Sequence, residues 1–152
     1  MSRARALPIA VLLVLATTSP LVAQERVPLP RTSFGYGDLL LLNGLDGPVR
    51  AALRSPAEWK QFWTDQMLPT MVEPPPGVDF TKQIILLAAA DVAEPVSTQI
   101  GQVWDEGDTL TVDVVLSVTC GGEVMLPLDA VVVEHDSVPV RFITRREHRS
   151  CQ

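Results

Sequence analysis

The chain has 152 residues, with 18 acidic and 12 basic side chains and a formal net charge of −6 at pH 7. This balance excludes an electrostatic reason to bind nucleic acid or an anionic membrane surface. The acidic residues are scattered, as on a solvated surface, and the length is that of one domain with a single hydrophobic core.

The first 23 residues have the layout of a secretory signal peptide. Arg3 and Arg5 form a short positive region, an apolar run covers 7–15, and Ala23 is a small residue before Gln24, where we expect cleavage. The run is shorter than the roughly 20 apolar residues of a spanning helix, so an uncleaved membrane anchor is the weaker alternative. The sequence therefore predicts a periplasmic or secreted protein without a membrane segment, whose net charge is −8 once Arg3 and Arg5 are removed.

Residues 24–33 contain two prolines and no hydrophobic periodicity, which predicts a flexible lead-in. A single globular domain is expected over 34–152. It begins with a predicted strand within 34–43, turn signals at Asn43-Gly44, and a second strand from Val49 to Leu53.

A helix is predicted from Pro56 to Leu68. Ser55 suits the capping position, Pro56 fits the first helical position, and Glu58 completes a capping box. The spacing of the large apolar residues defines one helical face, formed by Trp59, Phe62, Trp63 and Met67. We expect this face to pack on a sheet, with a ligand-stacking surface as the alternative.

The remaining sequence is β-patterned. The run from Ile84 to Ala90 is apolar without alternation, as in a strand buried on both faces, although its alanines also fit a helix. Two hairpins are predicted downstream, one joining 97–104 to 109–119 and the other joining 128–134 to 138–143. Residues 144–152 are polar and basic and are predicted as a tail. The fold class is therefore α+β, a mostly antiparallel sheet or sandwich with one amphipathic helix packed on it.

Cys120 and Cys151 both lie in the predicted mature part. An even number of cysteines in an exported domain indicates a disulfide, which would stabilise this chain by about 3.7 kcal/mol at most. Two free thiols, or a bridge between chains, are the alternative. With His135 and His148 far apart from each other and from any cysteine pair, we predict no metal site.

No sequence pattern indicates a catalytic centre. There is no G-x-S-x-G motif and no glycine-rich phosphate or dinucleotide fingerprint. Asp105 and Asp108 fit a hairpin turn better than a calcium loop. We therefore predict no catalytic residues, no enzyme activity and no cofactor. Because glycosidase carboxylates can be distant in sequence, a small secreted hydrolase with dispersed acids stays an alternative.

The order of the motifs carries further information. Glu58-Trp59 and Phe62-Trp63 are followed by a proline-containing linker, by Asp79-Phe80 at the entry to a strand, and by β-patterned segments at 110–118, 127–133 and 138–142. This order resembles the PrcB C-terminal-like family of exported bacterial domains over residues 49–143. Such domains often carry a glycine-rich aromatic segment, for which this chain has residues 91–96 without glycine.

The resemblance implies an interaction role, because the family takes its name from an accessory subunit of a surface protease complex rather than from the peptidase. It carries over no catalytic residues. Our leading hypothesis is an exported, non-enzymatic domain that binds a protease or another envelope protein through an exposed strand edge. A ligand-binding module with a cleft beside Trp59, Trp63 or Trp104 is the other alternative. The partner, its contact residues and the oligomeric state do not follow from the sequence.

Overall fold

The computed structural model describes residues 26–33, 47–66, 77–91, 96–118, 128–134 and 138–148. Their elements, in chain order, are β1 (Val27–Pro28), β2 (Arg31–Ser33), β3 (Val49–Leu53), α1 (Pro56–Gln66), β4 (Gln83–Ala89), β5 (Val96–Asp105), β6 (Leu110–Val118), β7 (Leu128–Glu134) and β8 (Val140–Glu147).

The strands form two four-stranded sheets. Sheet A has the order β1-β5-β6-β8 and sheet B the order β2-β7-β4-β3. All neighbouring strands are antiparallel except β6 and β8, which are parallel. The predicted fold class is confirmed: the chain is an α+β protein dominated by sheet, with a single short helix among the described residues.

Strand β4 is buried on both faces. Ile84 and Leu86 lie in a core that sheet B shares with sheet A. Ile85 and Leu87 face the other way and pack with Trp59 of α1 in a second core. The described chain therefore has three layers, with α1 on one side of sheet B and sheet A on the other. The prediction of a doubly buried strand is confirmed, and the alternative of a helix is wrong.

Helix α1 begins as its sequence predicts. The Ser55 hydroxyl accepts a hydrogen bond from the N–H of Glu58 at 3.1 Å, and the Glu58 carboxylate accepts one from the N–H of Arg54 at 2.6 Å. In the standard capping box, the Glu58 carboxylate would accept from the N–H of Ser55. Here it accepts from the N–H of Arg54, one residue earlier. Trp59 and the half-buried Phe62 pack on sheet B. Met67, Leu68 and the side chain of Trp63 lie outside the described part.

The first predicted downstream hairpin is confirmed by β5 and β6. The Asp105 carboxylate accepts a hydrogen bond from the N–H of Gly107 at 2.6 Å, and Gly107 has a φ of +85°, which favours glycine. The pairing register shifts between Ile100 and Val103, which places a β-bulge at Gly101-Gln102.

The second predicted hairpin is wrong. β7 pairs with β4 in sheet B, whereas β8 pairs with β6 in sheet A, so the chain crosses from one sheet to the other between them. Val140 and Phe142 pack against the core between the sheets, which stabilises β8 in sheet A. The strand also continues to Glu147, so residues 144–147 are not a tail. A turn signal marks where a strand ends but does not tell in which sheet the next one lies.

The predicted lead-in also contains strand. β1 pairs with β5 in sheet A, and three residues later β2 pairs with β7 in sheet B. The N–H of Leu29, between them, donates to the carbonyl of Val103 at 2.9 Å. Residues 27–33 therefore connect the two sheets along one edge, in place of the predicted flexible segment. β3 is confirmed, while the strand and turn predicted within 34–46 lie outside the described residues.

Replacing Trp59 tests whether α1 is fixed by its contact with sheet B. The Trp59 side chain is only 2% exposed. Trp59→Ala should lower the free energy of unfolding by about 3–5 kcal/mol, because it leaves a cavity in the second core. Urea denaturation gives this value, and Lys60→Ala, at the exposed neighbouring position, should change it by less than about 0.5 kcal/mol. A loss below about 1 kcal/mol for Trp59→Ala would contradict this packing.

Candidate interaction surface

Strand β8 forms one edge of sheet A. It pairs with β6 on one side, and no other strand of the described chain pairs with it on the other. The N–H of Leu110 donates to the carbonyl of Pro139 at 2.9 Å, which fixes the direction of the main-chain groups that follow. In a parallel pair, alternate residues of a strand point their N–H and C=O groups to the same neighbour.

The alternation divides β8 into two sets of residues. The main-chain groups of the odd-numbered residues point to β6, namely those of Arg141, Ile143, Arg145 and Glu147. Those of the even-numbered residues point away from it, namely those of Val140, Phe142, Thr144 and Arg146. We call the first three of these residues, Val140, Phe142 and Thr144, the β8 edge. The register with β6 is unbroken over all eight residues, and the strand contains no proline, so it lacks two devices that commonly blunt an edge.

A chain of ion pairs crosses the outer face of sheet A, the face turned away from sheet B. Glu106 contacts Arg26 and Arg141, with 2.8 Å between carboxylate oxygen and guanidinium nitrogen in each pair. Its side chain is only 15% exposed. Arg26 also lies over Trp104, with 5.9 Å from the guanidinium carbon to the ring centroid. Arg141 donates as well to the hydroxyl of Thr111, at 3.0 Å.

The next ion pair along β8 joins Arg145 to Asp113, at 3.0 Å, and to Glu147. The hydrogen bonds to Asp113 and Glu147 raise the pKa of Arg145 above its ordinary value. The absence of a side chain at Gly101 leaves room for this pair, because a Cβ atom there would lie 2.8 Å from the Asp113 carboxylate. A larger residue at Gly101 would therefore displace Asp113.

Polar bonds join the two sheets near the β8 edge. Arg50 of β3 donates to the carbonyl of Ala89 at 2.6 Å and to the hydroxyl of Thr144 at 3.2 Å. Arg54 donates to the carbonyl of Val138 at 2.6 Å. Desolvation by burial lowers the pKa of Arg50. These side chains tie the beginning and middle of β8 to sheet B, which positions the strand without using its N–H groups.

A second connection joins the sheets on the opposite side of the sandwich. The N–H of Ile100 donates to the Asp129 carboxylate of β7 at 2.7 Å, and the carbonyl of Ile100 accepts from Arg31 of β2. Burial raises the pKa of Asp129. This effect exceeds the opposing influence of the N–H groups of Ile100 and Ala130 and of the charge on Arg31.

Several acids and aromatics considered from the sequence have structural partners. The Asp79 carboxylate accepts from the N–H and hydroxyl of Thr81, at 3.0 and 2.6 Å, and these bonds lower its pKa. Trp59 is buried, and Trp104 is half-buried. Within the described ranges, no group of three or more His, Cys, Asp or Glu side chains is placed to hold a metal.

Other predicted positions cannot be placed. The predicted cleavage residues Ala23 and Gln24, the predicted disulfide partners Cys120 and Cys151, and His135 all lie outside the described residues. His148 is exposed just after β8. The disulfide and the export signal therefore stay predictions.

The polar residues that join the sheets were not predicted from the sequence. Asp129 is a single acid inside an apolar β-pattern, and Arg31 was assigned to the lead-in. An acid at such a position is a signal, because a buried carboxylate needs hydrogen-bond donors. The identity of the groups near this carboxylate depends on how β7 and β2 pair, and this pairing is visible only in the structure.

Comparison with protein-family models, with curated proteins and with solved structures finds no match. Among the described residues, no helix has both the length and the apolar character needed to cross a membrane.

The pH dependence of stability tests the environment of Asp129. Because burial raises its folded-state pKa above the ordinary 3.8, the folded chain binds this proton more tightly than the unfolded chain. The contribution is fully present below pH 3.8 and is lost as the pH rises through the raised value. Relative to Asp129→Asn, whose amide oxygen can still accept from Ile100, the wild type should therefore lose stability with rising pH.

Urea denaturation across a pH series measures this difference in the free energy of unfolding. Asp65→Asn on the exposed surface of α1 is the matched control for the substitution itself. A difference between wild type and Asp129→Asn that is constant, or that grows in favour of the wild type with rising pH, would refute the assignment.

Proposed function

We propose that this chain is a non-catalytic interaction domain that binds another exported or cell-envelope protein by adding a strand of that partner to the β8 edge. The observation that carries the proposal is the edge itself. It is an eight-residue strand in unbroken register with β6, and its even-numbered main-chain groups point away from the described part of sheet A.

Strand addition uses main-chain hydrogen bonds for affinity and flanking side chains for specificity. The β8 edge offers both. Thr144 belongs to it, and its hydroxyl bonds to Arg50, so the backbone there is held in place before any partner binds. Ile143, on the outer face, is 43% exposed and provides an apolar contact beside the added strand.

The environments of the acids and aromatics favour this function over the two alternatives. Glu106 and Asp113 are each bonded to arginines and are largely covered, a disposition suited to holding strands together rather than to proton transfer. Trp59 is part of the second core, so its ring offers no face for stacking a ligand. These observations support an interaction module over a hydrolase or an aromatic-pocket module.

The nature of the partner follows from the signal-peptide layout of residues 1–23 and from the resemblance to the PrcB C-terminal-like family. Both favour a partner outside the cytosol, and the resemblance favours a protease complex or another envelope assembly. No cofactor or metal is part of the proposed function.

Thr144→Pro tests whether partner binding uses the β8 edge. Proline removes an N–H that points away from β6, a position at which edge strands tolerate it, so the variant should fold. Ile143→Pro removes an N–H that points to β6 and should be clearly less stable by thermal unfolding. This pair separates loss of the edge from loss of the fold.

Each tagged domain is used to capture proteins from its native envelope fraction, and a protein retained by the wild type is then purified. Its dissociation constant from Thr144→Pro should be at least about tenfold higher than from the wild type, because the incoming strand loses main-chain bonds. Equal affinity for a folded Thr144→Pro domain would refute binding at the β8 edge.

A further inference from the structure

Arg50 of β3, and Arg54 one residue after that strand, form no ion pair with a carboxylate of the described chain. The arginines on the outer face of sheet A differ, since Arg26, Arg141 and Arg145 each contact an acidic side chain. Arg50 and Arg54 donate instead to backbone carbonyls and to one hydroxyl. Two positive charges therefore lie where β3 approaches β8, and no described carboxylate is bonded to them.

The guanidinium of Arg50 has one side that suits a carboxylate and is only partly used. Its Nη1 donates to the carbonyls of Val49 and Ala89, at 2.6 Å in each case. Its Nε and Nη2 both point to the single hydroxyl oxygen of Thr144, at 3.4 and 3.2 Å. Bonds from a guanidinium to a carboxylate are shorter, about 2.7–2.9 Å, and often use two parallel N–H groups. A carboxylate beside Thr144 can bind both N–H groups, and the threonine hydroxyl can donate to it.

Both arginines carry a charge that is partly desolvated and has no counter-ion among the described residues. Burial lowers the pKa of Arg50 by desolvation, and no described carboxylate opposes this effect. Nη2 of Arg54 donates to the carbonyl of Val138 at 2.6 Å, while its Nη1 is buried without a hydrogen-bond partner. Desolvating a charge without a partner costs free energy. A carboxylate supplied by another chain would offset part of that cost.

A strand added to the β8 edge brings side chains to this place. Residues directly opposite each other in an antiparallel pair have their side chains on the same face of the sheet. Phe142 packs against the core between the sheets, and Thr144 contacts Arg50 of sheet B. The added residues opposite them therefore also point to sheet B. The one opposite Thr144 lies beside Nε and Nη2 of Arg50, and the one opposite Phe142 lies beside a half-buried ring.

We infer that the β8 edge selects strands with an acidic side chain opposite Thr144 and an apolar one opposite Phe142, the carboxylate being bound by Arg50. A second acid, opposite Val140, places a further negative charge on the side of Arg54. The inference rests on the proposed function, because the edge must accept a strand, and it adds the chemistry of that strand. The recognised pattern is an acid, any residue, an apolar residue, any residue and an acid.

Synthetic peptides test this selection. KTETVTETK carries the pattern and reads the same in both directions, so it presents the same pattern in either orientation. KTQTVTQTK replaces the carboxylates by amides, and KTTEVETTK keeps the composition and net charge but moves the acids to the other face of the strand. Chemical-shift titration of the N–H groups of Phe142 and Thr144 should give a dissociation constant at least about fivefold lower for KTETVTETK than for either control. Added salt should reduce this advantage by screening.

Arg50→Gln tests the residue that binds the acid. Glutamine has neither the charge nor the two parallel N–H groups, so the advantage of KTETVTETK over KTQTVTQTK should fall below about twofold. Arg50→Lys keeps the charge alone and should retain an intermediate advantage. Lys60→Gln, on the exposed face of α1, removes the same charge and should leave the advantage unchanged. If thermal unfolding shows that Arg50→Gln does not fold, Arg50→Lys and the peptide series on the wild type still decide.

Equal affinity of the wild type for KTETVTETK and either control peptide would overturn the inference, as would an advantage that survives in folded Arg50→Gln. Failure of KTETVTETK to bind at millimolar concentration would also overturn it, because the pattern is inferred to be sufficient. In each of these cases, a captured partner that still binds Thr144→Pro more weakly than the wild type leaves strand addition standing. Equal binding of KTETVTETK to the wild type and to folded Thr144→Pro would instead refute the β8 edge as a strand-binding site, and with it the proposed function.

Discussion

The structure depends on one strand that must be apolar on both sides. β4 belongs to two cores at once: its even-numbered residues meet sheet A, and its odd-numbered residues meet α1. Its residues 84–90 are all buried, and each fully buried large aliphatic side chain contributes roughly 1.5–3 kcal/mol. Because this strand makes sheet B the middle layer, α1 covers one face of that sheet and sheet A covers the other. Among the described residues, no further strand pairs with β8 on the side away from β6.

The two sheets are joined at both sides by arginines that bond to backbone carbonyls. Arg31, helped by Asp129, bonds to Ile100 on the side of β1 and β2, and Arg50 and Arg54 bond to carbonyls on the side of β3 and β8. These bonds order the sandwich without covering its last strand with another one. In the described part of the chain, the edge that results has main-chain groups that point away from β6.

Local patterns predicted the local elements well. The capping sequence before α1, the continuous apolar run of β4 and the turn between β5 and β6 are each readable within about a dozen residues. The predicted pairing of β8 with β7 was wrong because strand order is a long-range property. The sequence of the turn after Glu134 is the same whether the chain returns to its own sheet or crosses to the other. The β8 edge was missed for the same reason: the direction of its N–H groups depends on the bond from Leu110 to Pro139. That a strand edge serves as the docking feature stays a prediction, and the sequence did not indicate which strand forms the edge.

Residue-resolved amide hydrogen exchange tests the central claim that the N–H groups of the β8 edge do not bond to another strand of the same chain. In the isolated domain, the N–H groups of Arg141, Ile143 and Arg145 should exchange slowly because they bond to β6, whereas those of Phe142 and Thr144 should exchange fast. This alternation should disappear when a partner strand binds, as the N–H groups of Phe142 and Thr144 become protected. Uniform slow exchange along β8 in the isolated domain would contradict the account, because the edge would then already be paired.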